Sequence, residues 1–460
     1  MPSTSSRPRA LLLAEACNPE WVSVPLVGWS LVRALADVCD AHLVTQVRNR
    51  DALIRAGWKE GEDFTALDTE ASAKLAWRVG GLLRGGAGKG WTTLTALSAL
   101  TNYHFEHRVW KAFGPALEQK EFDVVHRITP LSPTVASPLA KKCKTVGVPF
   151  VVGPLNGGIA WPKGFERTRL QEREWLSYVR GFYKLLPYYH STRQHASALI
   201  IGSMATWDQL AERYRSHAFY MPENAIDPER FPAGTPHQPG QPIRGLFVGR
   251  LVPYKGADMV LAAAAPAIKA GKLVLTLVGD GPQRDSLTAE VQRLGIESGV
   301  KFTGWLEHKD IRAQLENADL FLFPSVREFG GGAVLEAMAA AVPPVVVNYG
   351  GPAEIVTPKT GWVLPMGSRE EIVARLTSLL EHLTNSPEEI QAKSRAAVER
   401  CFSAFTWEAK ARRILEIYDW VMGRTPRKPL FPMPIPDEAP VNDRDVESRN
   451  GQNLLSVTSR

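Results

Sequence analysis

Residues 321–356, FLFPSVREFGGGAVLEAMAAAVPPVVVNYGGPAEIV, hold the densest chemistry in the chain. An apolar run ends at Pro324, a polar loop carries Arg327 and Glu328, and Gly330, Gly331 and Gly332 lead into a helical pattern. Free backbone N–H groups at a helix start favour an anion such as a diphosphate, and glycine lets that anion approach the backbone. Glu328 falls at the C-terminal end of a strand, where open α/β sheets bind ligands. Glu336, four residues into the helix, faces the same ligand away from its phosphates. The plainer alternative is a glycine-rich turn with two surface glutamates. Residues 245–263, GLFVGRLVPYKGADMVLAA, bring cations: a strand runs into Gly249 and Arg250, and Lys255 and Gly256 precede a helix. Arg250 offers a rigid fork of donors and Lys255 a point charge, a pair suited to a pyrophosphate; two solvated cations at a strand end fit the same letters. A third strand-to-helix turn, TLVGDGPQRDSL at 276–287, carries Gly279, Asp280 and Gly281, and Asp280 suits a structural turn as well as a site.

The elements that would carry these residues alternate between strand and helix in both halves of the chain. In the first half, strands are expected at 9–16, 41–46, 122–126, 149–153 and 198–202, with helices at 26–36 and 207–214. After a Pro- and Gly-rich stretch, PENAIDPERFPAGTPHQPGQP at 222–242, the pattern restarts. Strands follow at 243–250, 272–278, 300–302, 319–323, 343–348 and 361–364, and helices at 256–270, 283–294, 310–318, 332–341, 369–383 and 387–398. Short, β-branched, nearly continuous apolar runs suit parallel sheets covered on both faces. The reading is α/β, two doubly wound Rossmann-like domains facing each other. Its boundaries are a flexible leader 1–9, a first domain 10–221 with insertions 59–110 and 163–193, a linker 222–242, a second domain 243–404, a helix 405–426 and a disordered tail 427–460.

Composition sets the class. At 460 residues the chain is too long for one ordinary core, and 44% apolar with 22% charged residues is globular. Fifty-four Lys plus Arg against 48 Asp plus Glu leave +6, a mild excess that admits an anionic ligand or membrane. Cys17, Cys39, Cys143 and Cys401 are scattered without a CxxC pair, which fits a reducing, cytoplasmic compartment. No stretch approaches the roughly 20 apolar residues of a spanning helix.

With these residues in view, the second half resembles the C-terminal domain of nucleotide-sugar glycosyltransferases of the GT-B fold, most closely the retaining enzymes of glycosyltransferase family 4. The likeness is strong over 243–420 and weak in the first domain. It rests on the order GLFVGRLVPYKG, LVGDGP, then Glu328 and Glu336 separated by seven residues. The resemblance implies that Arg250 and Lys255 neutralise the donor diphosphate and the leaving nucleoside diphosphate. It implies Glu328 on the hydroxyls of the transferring sugar, Glu336 on the ribose, and the backbone of Gly331, Gly332 and Ala333 on the phosphates. Gly249 and Gly279 fall in the same donor-binding turns, and His126 in DVVHRITP resembles a histidine that reaches the donor sugar. It further implies a final helix that crosses back to the first domain. The chain departs from the pattern after its first strand, where ACNPEWVSVPLVGWS has no glycine until Gly28, so the backbone of 18–23 is expected to substitute. It departs again at PENAID, which keeps Asn224 and Asp227 in type, and at Phe329 and Gly330 after the first glutamate.

The implied function is retaining transfer of a hexosyl unit from a nucleotide diphosphate sugar, UDP before GDP, to a glycan or lipid-linked acceptor in cell-envelope polysaccharide synthesis. A small-molecule acceptor and a catalytically silent sugar-nucleotide binder are the alternatives, the intact Arg250, Lys255, Glu328 and Glu336 set speaking against the latter. The donor is substrate, and no essential cofactor or metal is expected. GGAGKG at 85–90 lacks the Ser or Thr of a Walker loop, and Asp443 and Asp445 stand in the polar tail. The basic, aromatic stretches 74–91 and 163–193 read either as an acceptor lining or as a peripheral contact with an anionic membrane at its inner face. Nothing resembles a nucleic-acid module.

Overall fold

Along β1 (Arg9–Ala14), Leu12 packs into one apolar cluster while Leu11 and Leu13 pack into another. That alternation is the signature of a strand with both faces covered. The computed structural model describes residues 7–70, 91–162, 164–165 and 182–431. Around β1 it sets β2 (Asp40–Gln46), β3 (Phe64–Leu67), β4 (Val124–Thr129), β5 (Phe150–Leu155), β6 (Ala198–Ile201) and β7 (Ala218–Tyr220). These form one parallel sheet in the order β3-β2-β1-β4-β5-β6-β7. The second sheet, β8 (Ile243–Val248), β9 (Leu273–Val278), β10 (Val300–Gly304), β11 (Leu320–Phe323), β12 (Pro344–Val347) and β13 (Trp362–Leu364), runs β10-β9-β8-β11-β12-β13 and is also parallel. Both are doubly wound, and each reverses its winding where its first strand lies beside its fourth. Ligands of such sheets bind beyond the strand ends at that reversal.

Three elements differ from the sequence expectation. The stretch 59–110 is not wholly an insertion, because Phe64–Leu67 pairs with β2 as the outer strand. Its residues, FTAL, put Thr and Ala at partly exposed positions and lack the continuous apolar run that marks a buried strand. The strand β7 was not expected either, and the helix expected at 207–214 divides into a short helix Met204–Asp208 and a 3-10 turn Glu212–His217. The stretch 222–242, expected as a linker, is pinned in place. Ile226 exchanges backbone hydrogen bonds with Phe405 and Trp407, at 2.7 and 3.3 Å, and Gly234 donates to Ala339 at 2.7 Å. His237 and Arg244 share the buried carboxylate of Asp319.

The helix Trp407–Val421 returns to the first domain. Trp407, Ala411, Ile414, Ile417 and Tyr418 join the cluster of Leu12, Val32 and Leu35 beneath the helix Val24–Ala36. Direct bonds also join the domains: Glu354 accepts from Met204 N and from the Tyr220 hydroxyl, and Tyr349 donates to the Ala160 carbonyl. The glycine run 85–90, most of 74–91 and of 163–193, Asp443, Asp445 and most of the tail lie outside the described residues. Among the described residues, no helix is long and apolar enough to cross a membrane.

Candidate active site

The chemistry gathers at the reversal of the second sheet, from the segments that follow β8 and β11. After β8 the chain passes Gly249 and Arg250 and makes a 3-10 turn, Pro253–Lys255. Gly256 then takes a left-handed φ of +80° and opens the helix Ala257–Lys269. A side chain at Gly256 would meet the Pro324 carbonyl at 2.8 Å, so glycine is what lets this turn press against the end of β11. The next segment is tied to it: Val326 N donates to the Tyr254 carbonyl at 2.9 Å, and Ser325 Oγ donates to the same oxygen at 3.1 Å.

This bracing brings Lys255 and Glu328 together. Lys255 Nζ donates to Glu328 Oε2, with the two side chains 18% and 20% exposed, and the ammonium lies 5.0 Å from the centre of the Phe323 ring. The sequence expectation gave these residues separate partners, so their direct pairing is a finding of the structure. Arg250 is exposed and makes no side-chain hydrogen bond or ion pair among the described residues. From the other side, the Gly351 amide donates to the Glu328 carbonyl at 3.1 Å and Asn156 Nδ2 donates to the Phe329 carbonyl at 3.2 Å. Arg327 stacks 4.8 Å from Trp161 of the first domain.

Gly331, at φ +65°, caps the helix Gly332–Ala339. Val334, Leu335, Ala337, Met338 and Ala339 are buried, while Gly332, Ala333 and Glu336 are partly exposed. Residues 332 and 336 lie one turn apart on one face, so Glu336 shares its open face with the first amides of the helix. Gly249 and Gly279 pack the strand ends: Gly249 N bonds the Val278 carbonyl at 3.0 Å and Gly279 N the Gly304 carbonyl at 2.9 Å. Asp280 bonds the Gly281 amide at 2.7 Å, the structural turn that its sequence also allowed.

His126 sits in the interior. It lies in β4, fully buried, with Nε2 2.7 Å from the Gly153 carbonyl and Nδ1 2.7 Å from the Tyr418 hydroxyl. A carbonyl only accepts, so Nε2 carries the proton and Tyr418 donates to Nδ1. Burial pulls the ring down to about 4, so it is neutral in the fold. Both nitrogens are thus engaged, one by β5 and one by the final helix. Asn224 does reach the site, since a side chain at Gly330 would collide with it, whereas Asp227 lies beside Arg33. In the loop expected to replace the glycine-rich turn, Trp21 and Val22 are exposed and Asn18 is buried.

Sequence reasoning passed over Glu223, Asn156, Trp161 and Lys410. A side chain at Gly330 would also collide with Glu223 Oε1. Behind Glu223, buried Lys410 of the final helix donates to the carbonyls of Pro222 and Asn224. Glu223 was hidden in a stretch read as linker and Lys410 in an ordinary amphipathic helix.

Residues 235–397, which contain this whole cluster except Glu223, Asn224, Asn156, Trp161 and Lys410, match the family described as glycosyl transferases group 1. The match falls on the second domain. A glycogen synthase of Mycobacterium tuberculosis is 31% identical over 219 residues, 47% of this chain and 51% of the relative. A 2-deoxystreptamine glucosyltransferase of Streptomyces kanamyceticus is 32% identical over 214 residues, 44% and 54% of the two chains. The chain thus spans about half the length of the curated relatives it matches. Among solved structures, Anabaena Alr3699/HepE in complex with UDP superposes with a TM-score of 0.57 over 89% of this chain and 98% of that one, at 16% identity. The shared architecture is GT-B, two Rossmann-like domains.

Proposed function

We propose that the chain is a retaining glycosyltransferase of family 4 that moves a hexosyl unit from a nucleotide diphosphate sugar, UDP before GDP, to a glycan or lipid-linked acceptor in cell-envelope polysaccharide synthesis. The observation that carries this reading is the meeting of Lys255, Glu328 and the glycine loop at the reversal of the second sheet, inside the matched residues. Departure of the nucleoside diphosphate leaves negative charge on phosphate and positive charge on the sugar. Arg250, Lys255 and the amides of Gly331, Gly332 and Ala333 are fixed donors for the first, Glu328 a carboxylate for the second. Glu336, on the open helix face, is assigned to the ribose. A small-molecule acceptor is the second reading, favoured by the likeness to the 2-deoxystreptamine glucosyltransferase.

Calorimetry with UDP, GDP, ADP and TDP tests the donor assignment. One diphosphate should bind, and Lys255→Ala should weaken it about 10–150-fold, the range for a hydrogen bond to a charged group. Binding unaffected by Lys255→Ala, or absent for all four, would overturn the reading. With the base identified, product anomers read by NMR would settle retention.

A further inference from the structure

The site holds a carboxyl that the proposed donor contacts leave unused. Glu223 begins the segment that leaves β7, and its carboxyl lies against Gly330, the first residue of the glycine loop. The elements around it are all identifiable. The final helix contributes Lys410, with Arg413 acting on it in turn; the loop after β11 contributes Glu328, itself paired with Lys255; and the end of β5 contributes Asn156. Asn156 gives its Nδ2 to the Phe329 carbonyl, while its buried Oδ1 has no hydrogen-bond partner among the described residues. The Asn156 amide hydrogen-bonds the Glu223 carboxyl and, with Lys410, favours its charged form, while the charge of Glu328 opposes it.

The geometry points to Glu223 as a proton-binding carboxyl of the donor site, one that takes up a proton from solvent when an anionic diphosphate sugar settles on the glycine loop. The inference rests on the donor-site assignment above. A charged carboxylate beside the loop would repel the diphosphate, whereas a neutral one removes that repulsion and adds a donor. Glu223 is poised for the change: burial pushes it up to about 7, against the lowering influence of Asn156 and Lys410, with Glu328 raising it further. Lys410, pulled down to about 7 by burial, sets that balance from behind.

The test is titration calorimetry of the full chain with UDP-glucose and GDP-mannose, whose diphosphates do not titrate between pH 6 and 8.5, in buffers of differing ionisation enthalpy. The wild type should take up close to one proton per bound ligand at pH 8.5 and almost none at pH 6. Its affinity should fall by up to about tenfold per pH unit above 7. Glu223→Gln, fixed in the neutral form, should show no uptake and bind at pH 8.5 as tightly as the wild type at pH 6. Lys410→Met, lacking the cation that favours ionised Glu223, should move the fall to higher pH. Uptake absent in the wild type, or unchanged in Glu223→Gln, overturns the inference while Lys255-dependent binding keeps the donor site intact. Binding of neither ligand overturns both.

Discussion

Tyr418→Phe separates two roles for His126, a donor contact as the family resemblance implied and a core hydrogen-bond acceptor as the structure places it. The substitution removes one hydroxyl at a fully buried position and leaves the ring packing, 5.7 Å between centroids, in place. It orphans His126 Nδ1, since Nε2 is already committed to the Gly153 carbonyl. A buried acceptor deprived of its partner costs about 1–3 kcal/mol. For a domain of this size that corresponds to a melting point lower by roughly 2–12 °C. Denaturant unfolding should show an earlier midpoint at unchanged slope, while turnover and nucleotide affinity at 25 °C stay within about twofold of the wild type, an expectation that follows from transition-state arithmetic with no lost contact. An unaltered melting curve would refute the hydrogen-bond assignment. A hundredfold loss of turnover at unaltered stability would return His126 to the reaction.

Two further outcomes follow from the same geometry. Gly279→Ala forces a side chain to φ +132° and into the Gly249 carbonyl, so the second domain should lose about 2–3 kcal/mol and melt earlier; an unchanged melt would show that the strand ends are not packed through these glycines. His126 carries a pH dependence with a definite sign. Its folded value of about 4 lies below the ordinary 6.5, so the unfolded chain binds the extra proton. The stabilisation is complete above pH 6.5 and is lost as pH falls toward 4, amounting to about 3 kcal/mol. Unfolding free energies at pH 7 and 4.5 should differ more for the wild type than for His126→Asn, and equal differences would refute the assignment.

How much of this was legible in the sequence depended on how far apart the cooperating residues lie. The second sheet was readable nearly strand by strand, because apolar runs such as 273–278 and 320–323 are nearly continuous and lie between Lys or Asp on one side and Gly or Pro on the other. The edge strands β3 and β7 were not: FTAL is no continuous apolar run, and each strand is placed by pairing with a single neighbour. Lys255, Glu328 and the glycine loop could be picked out as a candidate cluster because each lies in a short turn just beyond the end of β8 or β11. His126 illustrates the converse. Its place at a strand end suggested exposure, but a helix nearly 300 residues later covers it, and the letters around position 126 hold no trace of that helix.

Glu223 and Lys410 carry this argument furthest. Each is ordinary in its own segment, an acid in a Pro-rich stretch and a base on an amphipathic helix. They acquire a role only because Ile226 pairs with the backbone on either side of Thr406, which fixes the start of the final helix against the segment 222–226. That contact buries a cation where two backbone carbonyls hold it, and a buried cation in turn decides how much charge a neighbouring carboxyl can bear. The helix that closes the first domain therefore also sets the electrostatics at the glycine loop of the second. A change at Lys410, outside the family match and remote in sequence from every motif, should alter the pH dependence of nucleotide binding more than it alters the residues of the proposed donor site.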